Sequence, residues 1–308
     1  MNGARPREIS FPGLRPPHSL GVAAVLLAAL FLSTGGVFIK SVDVDAFAIN
    51  MWRSLFAGVT IWIMLRPRLS LRPGWPVAGI ALSYACMLLF LVIATRLTTA
   101  ANAIFLQFTA PLYVVVLARY FLRERASRLD LLTLAVAFAG MSLFFVGRFD
   151  GSSMAGNLFG LAAGLSFGVM LVLFRAPGVR ADDRVAAVVL GNLGLTAVLL
   201  PVNLARADVG LFLPGPGDAA GLLFMGIVQI GFGYVAMTYG IARVAALEAS
   251  LINMVEPVLN PVWVFIFLGE NPGAWAVLGG AIIVAAVAGR IVAAARQPGI
   301  GPPAFEPA

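Results

Sequence analysis

Histidine and cysteine are almost absent from this chain of 308 residues, which contains one of each. The single cysteine, Cys86, cannot form a disulfide within the chain, and its apolar surroundings favour a packing role. One histidine, His18, and one cysteine supply too few ligands for a zinc site. The sequence also lacks a G-x-x-x-x-G-K-[ST] loop, the phosphate-binding motif of many ATPases. We therefore expect no bound metal, no cofactor and no ATP hydrolysis.

Charged residues are also scarce. They make up 11% of the chain and hydrophobic residues 60%, whereas soluble domains are about a quarter charged. The hydrophobic residues form runs of about 20 residues, the helix length that spans ~30 Å of hydrocarbon. The sequence therefore predicts an all-α integral membrane protein with ten transmembrane helices. The predicted spans are residues 20–40, 46–65, 75–95, 101–121, 129–147, 156–174, 185–204, 218–240, 247–268 and 274–294.

The two ends of the chain differ from these spans in composition. Residues 1–19 and 295–308 are rich in proline and glycine, so we expect disordered tails. Arg5, Arg7 and Arg15 precede the first apolar run, as in a signal peptide. The run is too long for a signal sequence and no small-x-small cleavage site follows it, so we interpret it as the first span.

Basic residues are distributed unevenly between the two sides of the predicted membrane. Of the 21 Lys and Arg residues, sixteen fall on the side that carries both termini. Four fall on the opposite side (Lys40, Arg96, Arg148 and Arg206), and Arg53 lies within a span. The positive-inside rule then predicts a multi-pass protein of the cytoplasmic (inner) membrane with both termini cytoplasmic. Because no basic stripe is interleaved with exposed aromatic residues, we expect no nucleic-acid partner.

One pattern occurs twice, 146 positions apart. Pro111 precedes Glu124 by 13 residues, and Pro257 precedes Glu270 by the same number, each pair starting inside an apolar run. Each half of the chain would hold five spans, and because five is odd the second half would run opposite to the first. Inverted-topology repeats of this kind are typical of secondary transporters, which bind their substrates near the midplane. The predicted repeats are residues 20–147 and 156–294.

These residues resemble the EamA domain of the drug/metabolite transporter (DMT) superfamily. The resemblance is carried by the segment from Ala100 to Phe145 and its counterpart from Ala246 to Val287. It extends to the run Ser33-Thr34-Gly35-Gly36-Val37-Phe38-Ile39-Lys40 and to Trp52-Arg53-Ser54. The first copy reads Leu122-Arg123-Glu124 where the family usually has Leu-Gly-Glu. Members of the superfamily move amino acids, other small metabolites, vitamins or drugs, mostly outward, so the resemblance implies transport without naming the substrate.

Glu256 is the only acidic residue predicted to lie deep in the membrane. Its position within span 247–268 places it ~13–18 Å from either surface at 1.5 Å per residue. A charged carboxylate at that depth costs at least ~2.5 kcal/mol, so we expect it to be neutral, paired or solvated by a cavity. Pro257 cannot donate a backbone hydrogen bond and loosens the turn before it. Glu256 is thus a candidate for substrate or proton binding; the alternative is a protonated side chain that only packs.

Arg53 and a set of polar residues complete the predicted cavity. Arg53 could bind a substrate carboxylate, pair with Glu256 or extend to the membrane surface. Asn253, Glu256 and Asn260 have the spacing of one helix face, which in lipid must turn inward. The alternative for each polar residue is a hydrogen bond between helices. The candidate cavity residues are Ser33, Asn50, Arg53, Gln107, Gln229, Tyr234, Asn253, Glu256, Asn260 and Trp263.

A second group of residues is expected to be structural. Glycines recur every four positions along the sixth span and would give it a flat face for close helix packing. Pro257 would loosen the turn before it, and Pro111 holds the equivalent position in the first copy of the repeat. The two glutamates of the repeat would accept hydrogen bonds from backbone amides of the turns that follow them. The expected structural residues are Pro111, Glu124, Pro257, Glu270, Gly160, Gly164 and Gly168.

Taken together, the sequence favours a secondary transporter, in the direction of export, for small organic metabolites such as amino acids. It would act by alternating access around a midplane cavity, with the lipid bilayer and a small-molecule substrate as partners. Proton coupling, and uptake or facilitated diffusion of a vitamin, nucleoside or other metabolite, stay open, as does the oligomeric state. A membrane enzyme would need a nucleophile–base pair or a metal cluster, and the acids are scattered singly, so we do not expect an enzyme. The internal repeat also disfavours a sensor or scaffold.

Overall fold

The structure is a computed structural model that describes residues 18–70, 73–98, 100–143, 154–206, 214–268 and 273–295. All regular elements in these ranges are helical. The helices are α1 (His18–Leu32), α2 (Gly35–Ser41), α3 (Ala46–Leu65), α4 (Trp75–Leu97), α5 (Ala100–Gln107), α6 (Ala110–Phe121), α7 (Arg128–Ser142), α8 (Met154–Leu173), α9 (Ala181–Ala205), α10 (Pro216–Phe224), α11 (Gly233–Ile241), α12 (Ala246–Asn253), α13 (Glu256–Leu268) and α14 (Ala274–Ala295). A π-helical segment, Met225–Phe232, joins α10 to α11.

Nine stretches of the described chain are helical, long and apolar enough to cross a membrane. Each agrees with a predicted span to within four residues at either end. The remaining predicted span, 129–147, corresponds to α7, of which 15 residues are described, so the count of ten stays a prediction. The predicted tail 1–19 is wrong at its end, because His18 and Ser19 form the start of α1. Here His18 Nε2 lies 2.9 Å from Glu248 Oε2, a contact that the proline-rich composition does not reveal.

The span that contains Pro111 is interrupted between α5 and α6. Thr109 N donates to Leu106 O at 3.2 Å, and Leu112 N donates to Thr109 O at 2.9 Å. These i to i+3 bonds tighten the turn at the point where proline, which has no N–H, cannot continue the helical ladder.

The span that contains Pro257 is interrupted in the same way between α12 and α13. Val255 N donates to Ile252 O at 3.1 Å, and Val258 N donates to Val255 O at 3.1 Å. Each of these donors and acceptors lies 146 positions after its counterpart in the first break. The two copies of the sequence pattern therefore have the same local backbone structure.

Helices of the N-terminal half (residues 18–143) pack mainly on helices of the C-terminal half (residues 154–295). Helix α4 packs on α8, α3 on α9, α1 on α11 and α7 on α14. The broken span α5/α6 contacts α8, and α6 also contacts α12. The interface between the halves therefore runs through the middle of the protein, and both helix breaks lie along it.

Glycines allow α8 to lie directly on the first helix break. A Cβ atom added to Gly164 would stand 2.7 Å from Leu106 O, the acceptor of the tightened turn. Gly160 faces Leu106 Cβ at 2.8 Å, and Gly168 faces Ala110 O at 3.1 Å. The backbones of α8 and of the broken span thus approach too closely for any larger residue.

Substitution of Gly164 by alanine should destabilise the protein by about 1–3 kcal/mol, because the new methyl group meets backbone that cannot move aside. Gly194→Ala is the matched control, since Gly194 also lies inside a long helix but has no atom within 4 Å of the added Cβ. Thermal unfolding of both variants in detergent, followed by size-exclusion chromatography, measures the difference. Equal melting temperatures for the two variants would contradict the close approach of α8.

Candidate functional site

Arg53 of α3 is buried in the middle of the protein, with 1% of its surface exposed. Its Nη2 donates to Asn50 Oδ1 and to Leu88 O, both at 3.3 Å. Its Nε has no hydrogen-bond partner, and no described carboxylate lies within ion-pair distance of the guanidinium. The interpretation that Arg53 extends to the membrane surface is therefore wrong. Arg53 is a buried cation whose only hydrogen-bond acceptors in the described structure are neutral and distant.

Two tyrosines, one from each half, interact with the charge of this guanidinium. Tyr84 of α4 and Tyr234 of α11 meet edge to face, with ring centroids 4.6 Å apart, and both interact electrostatically with Arg53. Asn192 of α9 donates its Nδ2 to the Tyr84 hydroxyl at 3.0 Å, while its Oδ1 has no partner. Arg53 and Tyr84 belong to the N-terminal half, and Tyr234 and Asn192 to the C-terminal half. The cluster therefore lies on the interface between the halves.

Glu256 lies on the same interface, as the first residue of α13. It is half-buried, and within the described residues its carboxyl group has no hydrogen-bond or ion-pair partner. Its electrostatic interaction is with Tyr234, so the predicted direct pair with Arg53 is not formed. Both groups act on the same tyrosine instead. A helix N-terminus favours a carboxylate because the helix dipole is positive there.

The helix break separates Asn253 from Glu256. Asn253 is the last residue of α12, so the prediction that Asn253, Glu256 and Asn260 share one face of a continuous helix is wrong. The reason is the interruption before Pro257. Asn253 is fully buried; its Nδ2 donates to Met237 Sδ at 3.8 Å, and its Oδ1 has no partner.

Gln229 and Asn260 contact a third helix break, which separates α1 from α2. A Cβ atom on Gly35 would overlap the Gln229 amide, and a Cβ atom on Gly36 would overlap the Asn260 amide. Gln229 Nε2 also donates to Leu32 O at 3.1 Å, a carbonyl at the helix end that has no helical partner. Gln229 thus takes the alternative role of a hydrogen bond between helices, and Asn260 packs beside it.

Most of the other predicted cavity residues belong to one of these two places. Trp263 Nε1 donates to Ser33 Oγ at 2.7 Å, at the break after α1. Asn50 belongs to the Arg53 cluster. Gln107 is buried at the end of α5 with its Oε1 unpartnered. The structure therefore places Arg53, Asn50, Tyr234 and Glu256 in one cluster, and Ser33, Gln229, Asn260 and Trp263 around the first span.

Tyr84 and Asn192 were not among the residues predicted for the site. Both lie near the middle of their spans, but so do many other aromatic and amide residues, and depth alone does not distinguish them. Their common feature is the hydrogen bond that joins α4 to α9, and this becomes visible only when the helices are placed side by side.

Ion pairs connect the two halves at the end of the protein that is rich in arginine. Arg290 Nε of α14 donates to Asp130 Oδ1 of α7, and Arg290 Nη1 lies 3.9 Å from Glu248 Oε1 of α12. The other oxygen of Glu248 contacts His18 of α1. The side chains of Asp130, Glu248 and Arg290 are at most 16% exposed. This ionic layer, His18–Glu248–Arg290–Asp130, was not predicted.

Glu124 belongs to a second contact between the halves at the same end. Its Oε1 accepts from Arg175 Nε at 3.1 Å, and Arg175 Nη1 donates to Val244 O at 2.6 Å. The predicted hydrogen bonds from backbone amides are thus replaced by an ion pair across the interface. Glu270, its counterpart in the repeat, lies outside the described residues. At the opposite end Arg206 pairs with Asp45 at 2.7 Å, and its side chain is 47% exposed.

In the part of the chain that the structure describes, no group of three His, Cys, Asp or Glu side chains could hold a metal ion. The chemistry of the site is therefore that of a guanidinium, two phenols, amides and one carboxyl group. Such a set can bind an organic solute through hydrogen bonds and charge.

Comparisons with known proteins found relatives over most of the chain. The profile described as "EamA-like transporter family" matches twice, over residues 19–146 and 154–291. An "Uncharacterized transporter" of Archaeoglobus fulgidus is 28% identical over 87% of this chain and 94% of its own length. "Solute carrier family 35 member G1" of Homo sapiens is 27% identical over 92% of this chain and 80% of its own.

Two further matches concern a named exporter and a solved structure. A "Probable terminal-alkyne amino-acid exporter" of Streptantibioticus cattleyicolor is 29% identical over 61% of this chain and 63% of its own length. A crystal structure with a TM-score of 0.73 and 20% identity covers 90% of this chain and 98% of its own, and so shares the fold. Because the family profile covers both halves, the chain belongs to the EamA-like transporter family of the drug/metabolite transporter superfamily.

Proposed function

We propose that this transporter exports small organic metabolites, amino acids or related compounds, across the cytoplasmic membrane, with both termini in the cytoplasm. The observation that carries the proposal is the cluster of Arg53, Tyr234 and Glu256, which combines charged groups with helix breaks on the interface between two halves. Its groups can donate and accept hydrogen bonds to one solute. The similarity to a protein named as an amino-acid exporter supports both the direction and the class of solute.

The packing of the helices supports ten spans in two inverted repeats. Counting α7 as the fifth span, the contacts join spans 1 and 8, 2 and 7, 3 and 6, 4 and 9, and 5 and 10. A twofold pseudo-symmetry that exchanges the halves relates span 1 to span 6, span 2 to span 7, and so on to spans 5 and 10. It therefore converts the contact between spans 1 and 8 into the contact between spans 6 and 3, and it maps each of the other three contacts onto itself. Inverted repeats produce such an axis in the membrane plane.

Alternating access then requires each end of the interface to open in turn. At the arginine-rich end, which we assign to the cytoplasm, the ionic layer and the Glu124–Arg175 pair hold the halves together. The opposite end has the more exposed Arg206–Asp45 pair. We propose that the described structure is closed toward the cytoplasm, and that the cytoplasmic pairs must break for a solute to enter.

Glu256 is the proposed proton carrier. Glu256 is half-buried on the interface, and its carboxyl group is free of ion pairs within the described chain. Its protonation state would therefore follow the pH of the side of the membrane from which water has access to it. Release of a proton inward, after uptake from outside, would drive a solute outward.

The proposed function predicts that cells overproducing the protein accumulate one class of metabolite in their medium. Untargeted mass spectrometry would compare wild type, Glu256→Gln and an empty vector at equal membrane expression. Glu256→Gln should reduce the accumulation at least several-fold, whereas Glu306→Gln, in the predicted C-terminal tail, serves as the matched control and should not. If the medium of wild-type and empty-vector cells is identical, export is wrong, and labelled uptake tests import.

Coupling is tested with the exported metabolite in proteoliposomes. An imposed pH gradient should accelerate transport by the wild type but not by Glu256→Gln, because an amide at this position cannot release a proton. Glu256→Asp should keep part of the response. A Glu256→Gln variant that responds to the gradient as the wild type does would exclude Glu256 as the proton carrier.

Loss of the ionic layer should open the cytoplasmic end. The Cys86→Ala variant has no cysteine, so a single cysteine at Val255, beside the second helix break, can report access for a membrane-impermeant thiol reagent. Arg290→Gln should raise labelling from the cytoplasmic side several-fold, because Asp130 and Glu248 lose their cation. Arg206→Gln, which removes the exposed pair at the other end, is the control. Equal labelling of both variants would show that the ionic layer is not a gate.

A further inference from the structure

We infer that the transported solute carries a carboxylate group and that this group binds Arg53. The inference rests on the proposed transport function and adds to it the chemical class of the solute. It begins with the charge of the site. A cation in the membrane interior is stable only when it is paired or solvated, and Arg53 has no carboxylate within ion-pair distance among the described residues.

The hydrogen bonds of Arg53 leave part of its donor set unused. Both of its bonds come from Nη2 and are long, at 3.3 Å, and both acceptors are neutral. Nε is buried and has no partner. A guanidinium offers donors in a planar fork that matches the two oxygens of a carboxylate. The edge of the guanidinium that carries Nε is therefore available to a planar group with two acceptor oxygens.

The surrounding hydroxyl groups also favour an acceptor. The Tyr84 hydroxyl accepts from Asn192, so its own proton is available to another group. The Tyr234 hydroxyl has Met87 Sδ at 3.6 Å as its hydrogen-bond partner, and a thioether is a weak acceptor. Both hydroxyls, like Arg53 Nε, therefore have a proton without a strong acceptor, and a carboxylate is an acceptor that each of these donors could use.

The charge balance favours a carboxylate over a phosphate. The ionisable groups that act on the guanidinium in the described structure are the two tyrosines, so Arg53 offers a ligand one positive charge. A phosphate monoester carries nearly two negative charges, one more than this cation balances. A single carboxylate matches the single cation, and the amide oxygens of Asn192 and Asn253, which are unpartnered, can accept from an amine on the same solute.

Access to Arg53 follows from the division of the cluster between the halves. Within the described structure, the hydrogen bonds of Arg53 are made to α3 and α4 of the N-terminal half. Tyr234, which interacts with it electrostatically, belongs to the C-terminal half. A rocking motion that separates the halves therefore exposes the guanidinium without breaking its own hydrogen bonds.

The test compares solutes with and without the carboxylate. Proteoliposomes would be assayed by counterflow with a panel of L-amino acids and the matching amino-acid carboxamides. Wild type should move at least one acid about tenfold or more faster than its carboxamide. Arg53→Gln should lose that preference, Arg53→Lys should keep part of it with a raised KM, and Arg96→Gln, an arginine at the end of α4, should behave as wild type.

The possible failures can be separated. Equal rates for acids and carboxamides in the wild type would overturn the carboxylate site but leave transport intact. The same holds if cells export a metabolite that has no carboxylate, while no amino acid moves in proteoliposomes. If no metabolite is exported and no panel member moves, the proposed transport function itself is wrong.

A measurement on the wild type alone covers the case in which Arg53 variants do not fold. A ligand that binds only the folded state raises its melting temperature in a concentration-dependent way. Acids of the panel should raise the melting temperature of the detergent-solubilised wild type, and their carboxamides should not. Stabilisation by carboxamides and acids alike would overturn the inference.

Discussion

The hydrocarbon of the membrane does not supply hydrogen bonds, and this constraint determines where the chain can depart from a helix. Irregular backbone is tolerated at membrane depth only where protein or an enclosed cavity surrounds it. The breaks in this chain meet that condition by close contact with other helices. Gly164 brings the backbone of α8 onto the break near Leu106, and Gln229 donates to the free carbonyl of Leu32. The interface between the halves is therefore the place where a binding site can form.

The ionic layer differs from Arg53 and Glu256 in whether its buried charges are paired. In the ionic layer, Arg290 has carboxylates on two neighbouring helices, so its charge is balanced and the contact holds helices together. Arg53 and Glu256 lie on the same interface, but neither has an ion-pair partner among the described residues. An unbalanced charge destabilises the resting protein, whereas it gives a ligand of opposite charge a large advantage over water. This difference supports the proposals that the ionic layer closes one end of the interface and that Arg53 and Glu256 bind ligands.

The limits of prediction from sequence follow the same physics. Bilayer thickness sets span length, so nine spans were predicted closely, and the rarity of charge in hydrocarbon identified Arg53 and Glu256. The repeated proline was recognised in both copies, but the helix breaks before Pro111 and Pro257 were not predicted, so Asn253 was wrongly placed on the helix of Glu256. Tyr84 and Asn192 were missed because neutral polar residues are common at mid-depth. Only the packing of α4 on α9 gives them a role.

The repeat is symmetric in its backbone and asymmetric in its chemistry. Both breaks share two equivalent i to i+3 hydrogen bonds, yet Ala110 stands where the second copy has Glu256. Under the proposed alternating access, similar backbones at the two breaks would give the two conformations similar energy. Because only the second copy carries an acid, that single carboxyl group would then have to serve both conformations.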